Sequence, residues 1–456
     1  MSTINPLNLS SLLSSFSNSQ GINVQEAVTE ALAALAQPEV QWQNEQAVLQ
    51  TQTTDLNQIE SDVNSLATAL TSLGDPAGAL AQMITSSSDS SVVTATAVNG
   101  AASGNHTVVV NNVATTASWY SASVSDPTAP LPPGSFTIQV GNGTPTQITV
   151  GNGVNSMNDL ATAINGMNLG VTANVVTDSN GSRLSIVANN SGAANNITIS
   201  NDTTIAFTQA VAGQDASLTV DGIPIDSATN TVSGAVNGVT FNLLSAAPNT
   251  PVNISVSPNT NAAATAVQNF VSAYNTVVGD VNTQYAVSAN NQEGPLAGDS
   301  TLSLLQSDLL SVAGYSTGTG AVESLGDLGI TMNKDGTLTV DTATLDSAIQ
   351  NNFSAVQSFM QGTSSNGFVS FINNQMSSLT DPTNGAFTVD LQSISNENQD
   401  LQNQINNFQT YLQQQQVILT AEFNQADIAL QQLPAEEAQI NAELGNTSSG
   451  NNTPLL

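Results

Sequence analysis

The chain has 456 residues, with 34 Asp or Glu against 2 Lys or Arg, and a formal net charge of −32. Without clustered cations to neutralise phosphates, nucleic-acid binding is excluded and anionic membrane surfaces are disfavoured. The lack of cysteine and the single histidine, His106, remove Cys/His nucleophile pairs, thiolate metal sites and disulfide scaffolds.

Residues 1–20 are rich in Ser and Asn and predict no structure of their own. Val24, Val28, Leu32 and Leu35 then space a short helix that ends near Pro38, which disfavours helix at Gln37. Residues 1–41 are therefore read as a flexible terminal region with one short helix. From Trp42 the apolar positions continue through Leu49, Leu56, Ile59, Val63, Leu66, Leu70 and Leu73. From Leu56 onward the steps alternate three and four, a heptad seam, so residues 42–74 predict a stalk helix.

Between residues 75 and 260 the apolar period drops to two. Strands are expected at Val92–Val98, Thr107–Val113, Phe136–Val140, Gln147–Val150, Val171–Val176, Leu184–Val187, Ile197–Ile199, Leu218–Val220, Thr240–Leu243 and Val252–Val256. Asn-Gly and Asp-Gly pairs such as Asn180-Gly181 and Asp221-Gly222 supply the turns. One helix, Met157–Met167, opens on Ser156 with Asp159 placed for a capping box. The proline-dense Asp126–Pro133 stretch reads as the boundary between two β units. The head then divides into a first part at 75–130, an insertion at 131–213 and a second part at 214–260.

Residues 261–433 predict stalk helices and a hairpin. Val267, Phe270, Tyr274, Val278 and Val281 mark one seam; Ile405, Phe408, Leu412, Gln415 and Leu419 mark another. A four–four step into Phe423 reads as a stutter, after which the seam runs on through Ala426, Leu430 and Leu433 and, past a polar break at Glu437, to Ile440 and Leu444. Pro434 kinks or ends the helix, leaving 434–456 as a flexible C-terminal region. The fold class is α+β and multidomain: a long antiparallel helical, coiled-coil stalk built from both termini, with an inserted β-rich two-unit head. Each buried seam residue is worth ~1.5–3 kcal/mol, which favours packing the stripes together. The stripes could be the core of one chain or surfaces for a partner; their place at both termini and their Gln/Asn-rich flanks favour partner packing.

No catalytic, cofactor-binding or metal residue emerges. Asn333-Lys334-Asp335-Gly336 followed by Asp341 faintly resembles a calcium loop, but Thr331 and Thr342 stand where ligands belong. A hairpin between Ile330–Met332 and Thr337–Val340 is the expected reading. His106 has no partner identifiable from sequence, and Arg183 and Lys334 read as structural or surface cations. No apolar run of ~18 residues suggests membrane insertion, and no basic n-region announces a cleavable secretory signal.

The run Phe270-Val271-Ser272-Ala273-Tyr274-Asn275 and the run Gly294-Pro295-Leu296-Ala297-Gly298-Asp299-Ser300-Thr301-Leu302 resemble the C-terminal region of flagellar filament-cap proteins, the hook-associated protein 2 family. So do Leu325-Gly326-Asp327-Leu328-Gly329-Ile330 and Asp335-Gly336-Thr337-Leu338-Thr339-Val340-Asp341. Thr137 to Ile199 resembles the "IN" motif of flagellin and hook proteins. The resemblance implies a non-enzymatic cap at the distal tip of a bacterial flagellum, extracellular and exported through the flagellar type III apparatus with an export chaperone. It implies a ring of identical subunits that retains flagellin and promotes its insertion. The assembly residues would be Leu56, Ile59, Val63, Leu66, Leu70, Phe270, Tyr274, Val278, Val281, Ile405, Phe408, Leu412, Leu419, Phe423 and Leu430. Asn275, Gly298, Asp299, Gly329, Asp335, Gly336 and Asp341 would be structural motif residues. The alternatives are a surface adhesin for host glycans or mucin, disfavoured by only 4% aromatic residues, or another axial protein such as flagellin or a junction protein.

Overall fold

A computed structural model describes residues 23–287, 293–362 and 366–447. The expectations for residues 1–20 and 448–456 lie outside the described residues.

Helix α1 (Val24–Leu35) is capped by the Asn23 side chain, which accepts from the Glu26 N–H; the first-turn Glu26 suits the positive helix end. After Ala36 the chain starts α2 (Gln37–Gly74). Pro38 was expected to keep Gln37 out of a helix. Instead it occupies the first turn, where its missing N–H removes no helix bond. The stalk helix thus begins at Gln37 rather than Trp42, and residues 24–35 and 37–41 are helical.

The head follows as fifteen strands. β1 (Met83–Ser87), β15 (Val252–Pro258), β3 (Gly104–Asn112), β11 (Ala216–Val220) and β12 (Ile223–Ser227) form one antiparallel sheet in that order. It faces a three-stranded sheet of β13 (Thr231–Val236), β14 (Val239–Leu243) and β2 (Val93–Ala97), and the two enclose Val108, Leu218, Phe241 and Ile254. The second unit holds β10 (Phe207–Val211), β4 (Ser118–Ser121), β8 (Gly181–Ala188) and β7 (Val171–Asp178), with β6 (Thr146–Val150), β5 (Gly134–Val140) and β9 (Ile197–Ser200). Helix α3 (Met157–Gly166) packs into that unit, its capping box of Ser156 and Asp159 formed as the sequence indicated. The boundary expected at Asp126–Pro133 falls inside this unit. Ala117 and Leu131 are both in its core, and β4 pairs with β8 and β10, so the unit begins near Ala117 rather than at 131.

The chain returns through α4 (Thr260–Tyr285), α5 (Ser300–Val312), the hairpin β16 (Ile330–Met332) and β17 (Leu338–Val340), then α6 (Thr342–Asn351), α7 (Phe353–Gln361) and α8 (Phe368–Thr380). Helix α9 (Ala386–Thr447) completes the stalk. Pro434 does not end it; the helix runs through the proline to Thr447. The proline has no N–H to give the Leu430 carbonyl, a local loss of one bond in a long ladder. One continuous core joins α2, α4 to α8 and the first part of α9, from Leu49 to Leu401.

Candidate assembly surface on the stalk

The two ends of the chain meet as antiparallel rods. Gln46 Nε2 donates to the Asn398 carbonyl and Gln402 Oε1, both at 3.3 Å, and Gln409 Nε2 donates to Glu39 Oε1 at 2.7 Å. Trp42 meets Phe408 edge-on with ring centroids 5.3 Å apart. Helix α1 also packs along α9 and buries Ala27 and Val28.

Burial divides the expected assembly residues into two groups. Leu56, Ile59, Val63, Leu66 and Leu70 of α2 and Phe270, Tyr274, Val278 and Val281 of α4 are closed inside one subunit's core. These side chains hold the rod together and have no face left for a neighbour, which corrects the partner-packing reading for both seams. Ile405 is buried as well. Phe408, Leu412, Leu419, Phe423 and Leu430 are half-buried, and beyond Leu430 every described side chain of α9 is exposed.

Alongside them lie further exposed apolar residues, of which the seam included only Leu433, Ile440 and Leu444. Tyr411, Val417, Ile418 and Ile428 are exposed, Val417 to 71%, and Leu433, Ile440 and Leu444 continue the exposure to 64% at Leu444. For Tyr411 and Ile418, which the seam left out, the seven-residue interval between them was the available signal. At about 100° per residue Tyr411, Ile418, Leu433 and Ile440 share one side of α9, with Val417 and Ile428 on another, and such a row of large apolar side chains on a solvated helix marks a surface for a partner.

The motif residues fasten the stalk. The Asn275 amide donates to the Leu338 carbonyl at 2.8 Å and accepts from its N–H at 2.6 Å, pairing with β17 as a backbone strand would. Tyr274 donates to the Leu309 carbonyl at 2.9 Å, and burial pushes its phenol pKa up. Asp299 caps α5, accepting from the Leu302 N–H at 2.9 Å; the neighbouring Gly298 has open space where a Cβ would sit. Gly329 takes the left-handed conformation (φ 72°), and a Cβ there would come within 2.8 Å of Thr344 Cβ and 2.9 Å of the Asp341 carbonyl. Asp341 caps α6 through the Ala343 and Thr344 N–H groups. Asp335 accepts from the Thr337 hydroxyl at 2.6 Å, which holds its carboxyl below the usual range, while Gly336 turns at φ 84°. This is the hairpin turn expected at 333–336. Among the described residues no group of three or more His, Asp or Glu could hold a metal.

Of the scarce cations, His106 and Arg183 sit in the head, and Lys334 lies on the stalk hairpin beside α4. His106 Nδ1 lies 2.8 Å from Asp221 Oδ2, a partner 115 positions away that β3–β11 pairing brings close. The hydrogen bond to His106 lowers the Asp221 pKa, helped by the Thr107 N–H. Arg183 donates to the Ser121 carbonyl at 3.3 Å and stands 5.8 Å over the Tyr120 ring. Among the described residues neither Arg183 nor Lys334 has a carboxylate within ion-pair distance.

Comparison with known proteins gives this architecture relatives. The model of the flagellar hook-associated protein 2 N-terminus matches residues 20–117, that of its C-terminus residues 213–435, and that of the flagellin hook IN motif residues 135–190. The B-type flagellar hook-associated protein 2 of Pseudomonas aeruginosa is 29% identical over 345 residues, 68% of this chain and 73% of the relative. The A-type protein of the same species is 27% identical over 379 residues, 75% of this chain and 79% of the relative. A crystal structure of the D1-D2-D3 domains of the flagellar cap protein from Escherichia coli superposes with a TM-score of 0.58 at 25% identity, covering 75% of this chain and 99% of that one. The two terminal models take in both rods of the stalk and the first head unit, the IN motif fills the second, and the chain belongs to the flagellar hook-associated protein 2 family.

Proposed function

We propose that this protein caps the distal end of a bacterial flagellar filament, assembling as a ring whose heads form a plate and whose rods meet the growing filament. The single observation that carries this reading is the stripe of Tyr411, Ile418, Leu433 and Ile440 on one side of α9, exposed in the subunit. A subunit that leaves such a face solvated gains stability only when a partner covers it, at roughly 25 cal/mol per Å² of apolar area. Flagellin and a second copy of this chain are the partners proposed. The plate would retain exported flagellin and open one insertion site at a time. The role is structural, with no reaction assigned.

Passage outward through the type III apparatus, with an export chaperone, belongs to the same proposal: a chain without cysteine has no disulfide to undo before threading. The extracellular filament tip is then its working location. The glycan-adhesin alternative gains no support from the relatives, whose names are those of hook-associated and cap proteins.

Complementation tests the reading. The full chain carrying Ile418→Asp and Ile440→Asp should fold like the parent, because both side chains are exposed in the subunit. In a cap-deficient strain the parent should restore filament growth and the double variant should not. Parent-like filaments from the double variant would remove the α9 face from the mechanism; failure of the parent itself would remove the cap assignment.

A further inference from the structure

We infer that two proton-sharing carboxyl pairs latch the stalk, Asp62 with Asp280 between α2 and α4 and Asp299 with Asp390 between the α5 cap and α9, so that the stalk tightens as pH falls below neutral. A chain with 34 acids and two strong cations cannot neutralise carboxylates at every helix contact. Where two must meet, a shared proton is the remaining counter-charge.

In the first pair, Asp280 faces Asp62 and, one heptad earlier on α2, Asp55. The neighbours' oxygens are already engaged: Gln58 Nε2 donates to Asp62 Oδ2 at 2.7 Å, and Gln284 Nε2 donates to Asp55 Oδ2 at 2.9 Å. Asp280 Oδ2 is sealed from solvent with no protein donor. The other elements on α4 contribute Asp308 from α5, Asp346 from α6, and Lys334 and Asp335 from the hairpin. Lys334 reaches the side of α4 that carries Val278 and Asn282, where Asn282 holds the Asp335 carbonyl. In the second pair, Asp390 Oδ2 is likewise sealed without a donor and faces Asp299, whose Oδ1 already caps α5. Thr301 beside Asp390 works the other way, lowering its pKa in part, and α8, packed on α9, carries no ionisable residue.

Burial first, then the bond shared with Asp62, raises the Asp280 pKa to about 6. Burial and Asp299 raise that of Asp390. In the unfolded chain both carboxyls would titrate near ~3.9. The folded stalk therefore holds protons that the unfolded chain has released, and raising pH through this window removes stability that lowering it restores.

Thermal unfolding of the full chain tests this, in high salt so that the general repulsion of a −32 chain is screened. Between about pH 7.5 and about pH 5.5 the Tm should rise by about 2–4 °C. Asp280→Asn with Asp390→Asn should raise the Tm at the higher pH and flatten the response. If asparagine packs poorly at those positions, Asp62→Asn with Asp299→Asn removes the same repulsions from the other side, and the amide oxygen at 299 still caps α5. The exposed Asp400→Asn, which also removes one charge, should keep the parental response. A parental Tm that is flat or falls on acidification overturns the inference. So does full pH response in both double variants, or its loss in Asp400→Asn.

Discussion

Along the inner part of the rod, Leu56, Val63 and Leu70 repeat every seven residues and are sealed against α4. Along the outer part, Leu412 and Leu419 repeat at the same interval and stay half-exposed, flanked by solvated Val417 and Ile418. The spacing is one; the fates differ. A heptad says that a helix has an apolar face, and the number of helices within reach decides who covers it. Near the head, α4, α7 and α8 pack against α2; farther out α9 has α1 and the start of α2 beside it. Inner seam residues thus report on the stability of the subunit, and outer ones on association.

Truncation should separate the two regimes most widely. Leu70→Ala empties a fully buried site and should cost about 2–5 kcal/mol in chemical denaturation of the free protein. Leu430→Ala, half-exposed, should cost under about 1 kcal/mol there, because little of its transfer free energy is realised in the subunit. Equal losses at the two positions would break the distinction between inner and outer rod. The middle of the range belongs to Asn275→Ala. It leaves the Leu338 N–H and carbonyl without their partner, so about 1–3 kcal/mol should be lost. Hydrogen exchange should place the added opening at the 330–340 hairpin; an unchanged hairpin would show that the pairing with β17 contributes nothing.

The same division explains what could be read from sequence. The inner seams, the capping box at Ser156 and the turn at Asp335-Gly336 were legible because each is local, with residues a few positions apart making the contact. Strands β1, β10, β12 and β13 were not, since they lie at sheet edges and carry polar or exposed residues where an alternating pattern would be sought. β12 even carries Pro224, tolerated because the strand has only one neighbour. β4, with the sequence Ser-Trp-Tyr-Ser, is too short to set a period, and missing it moved the head boundary downstream to the proline stretch. At the assembly surface, Tyr411 and Ile418 announced an apolar register, but the choice between intramolecular core and partner face rests on long-range packing. His106 and Asp221, and the two carboxyl pairs, are contacts of the same non-local kind.

The smallest effect is expected where the two regimes join, at Trp42. Its ring is edge-on to Phe408, which among the described residues of α9 is the one with an aromatic partner on α2, while Phe408 lies tilted by 30° against the exposed Tyr411. An aromatic pair contributes about 0.5–1.5 kcal/mol beyond the area it covers, and replacing Trp42 by Leu keeps much of that area. Trp42→Leu should therefore leave the denaturation midpoint of the core nearly unchanged. It should instead raise hydrogen exchange in α9 from Phe408 outward, because α2 and α9 would lose the contact that keeps them in register. Faster exchange confined to residues before Leu401, within the shared core, would mean that the outer rod is held from within and that no boundary exists at Trp42.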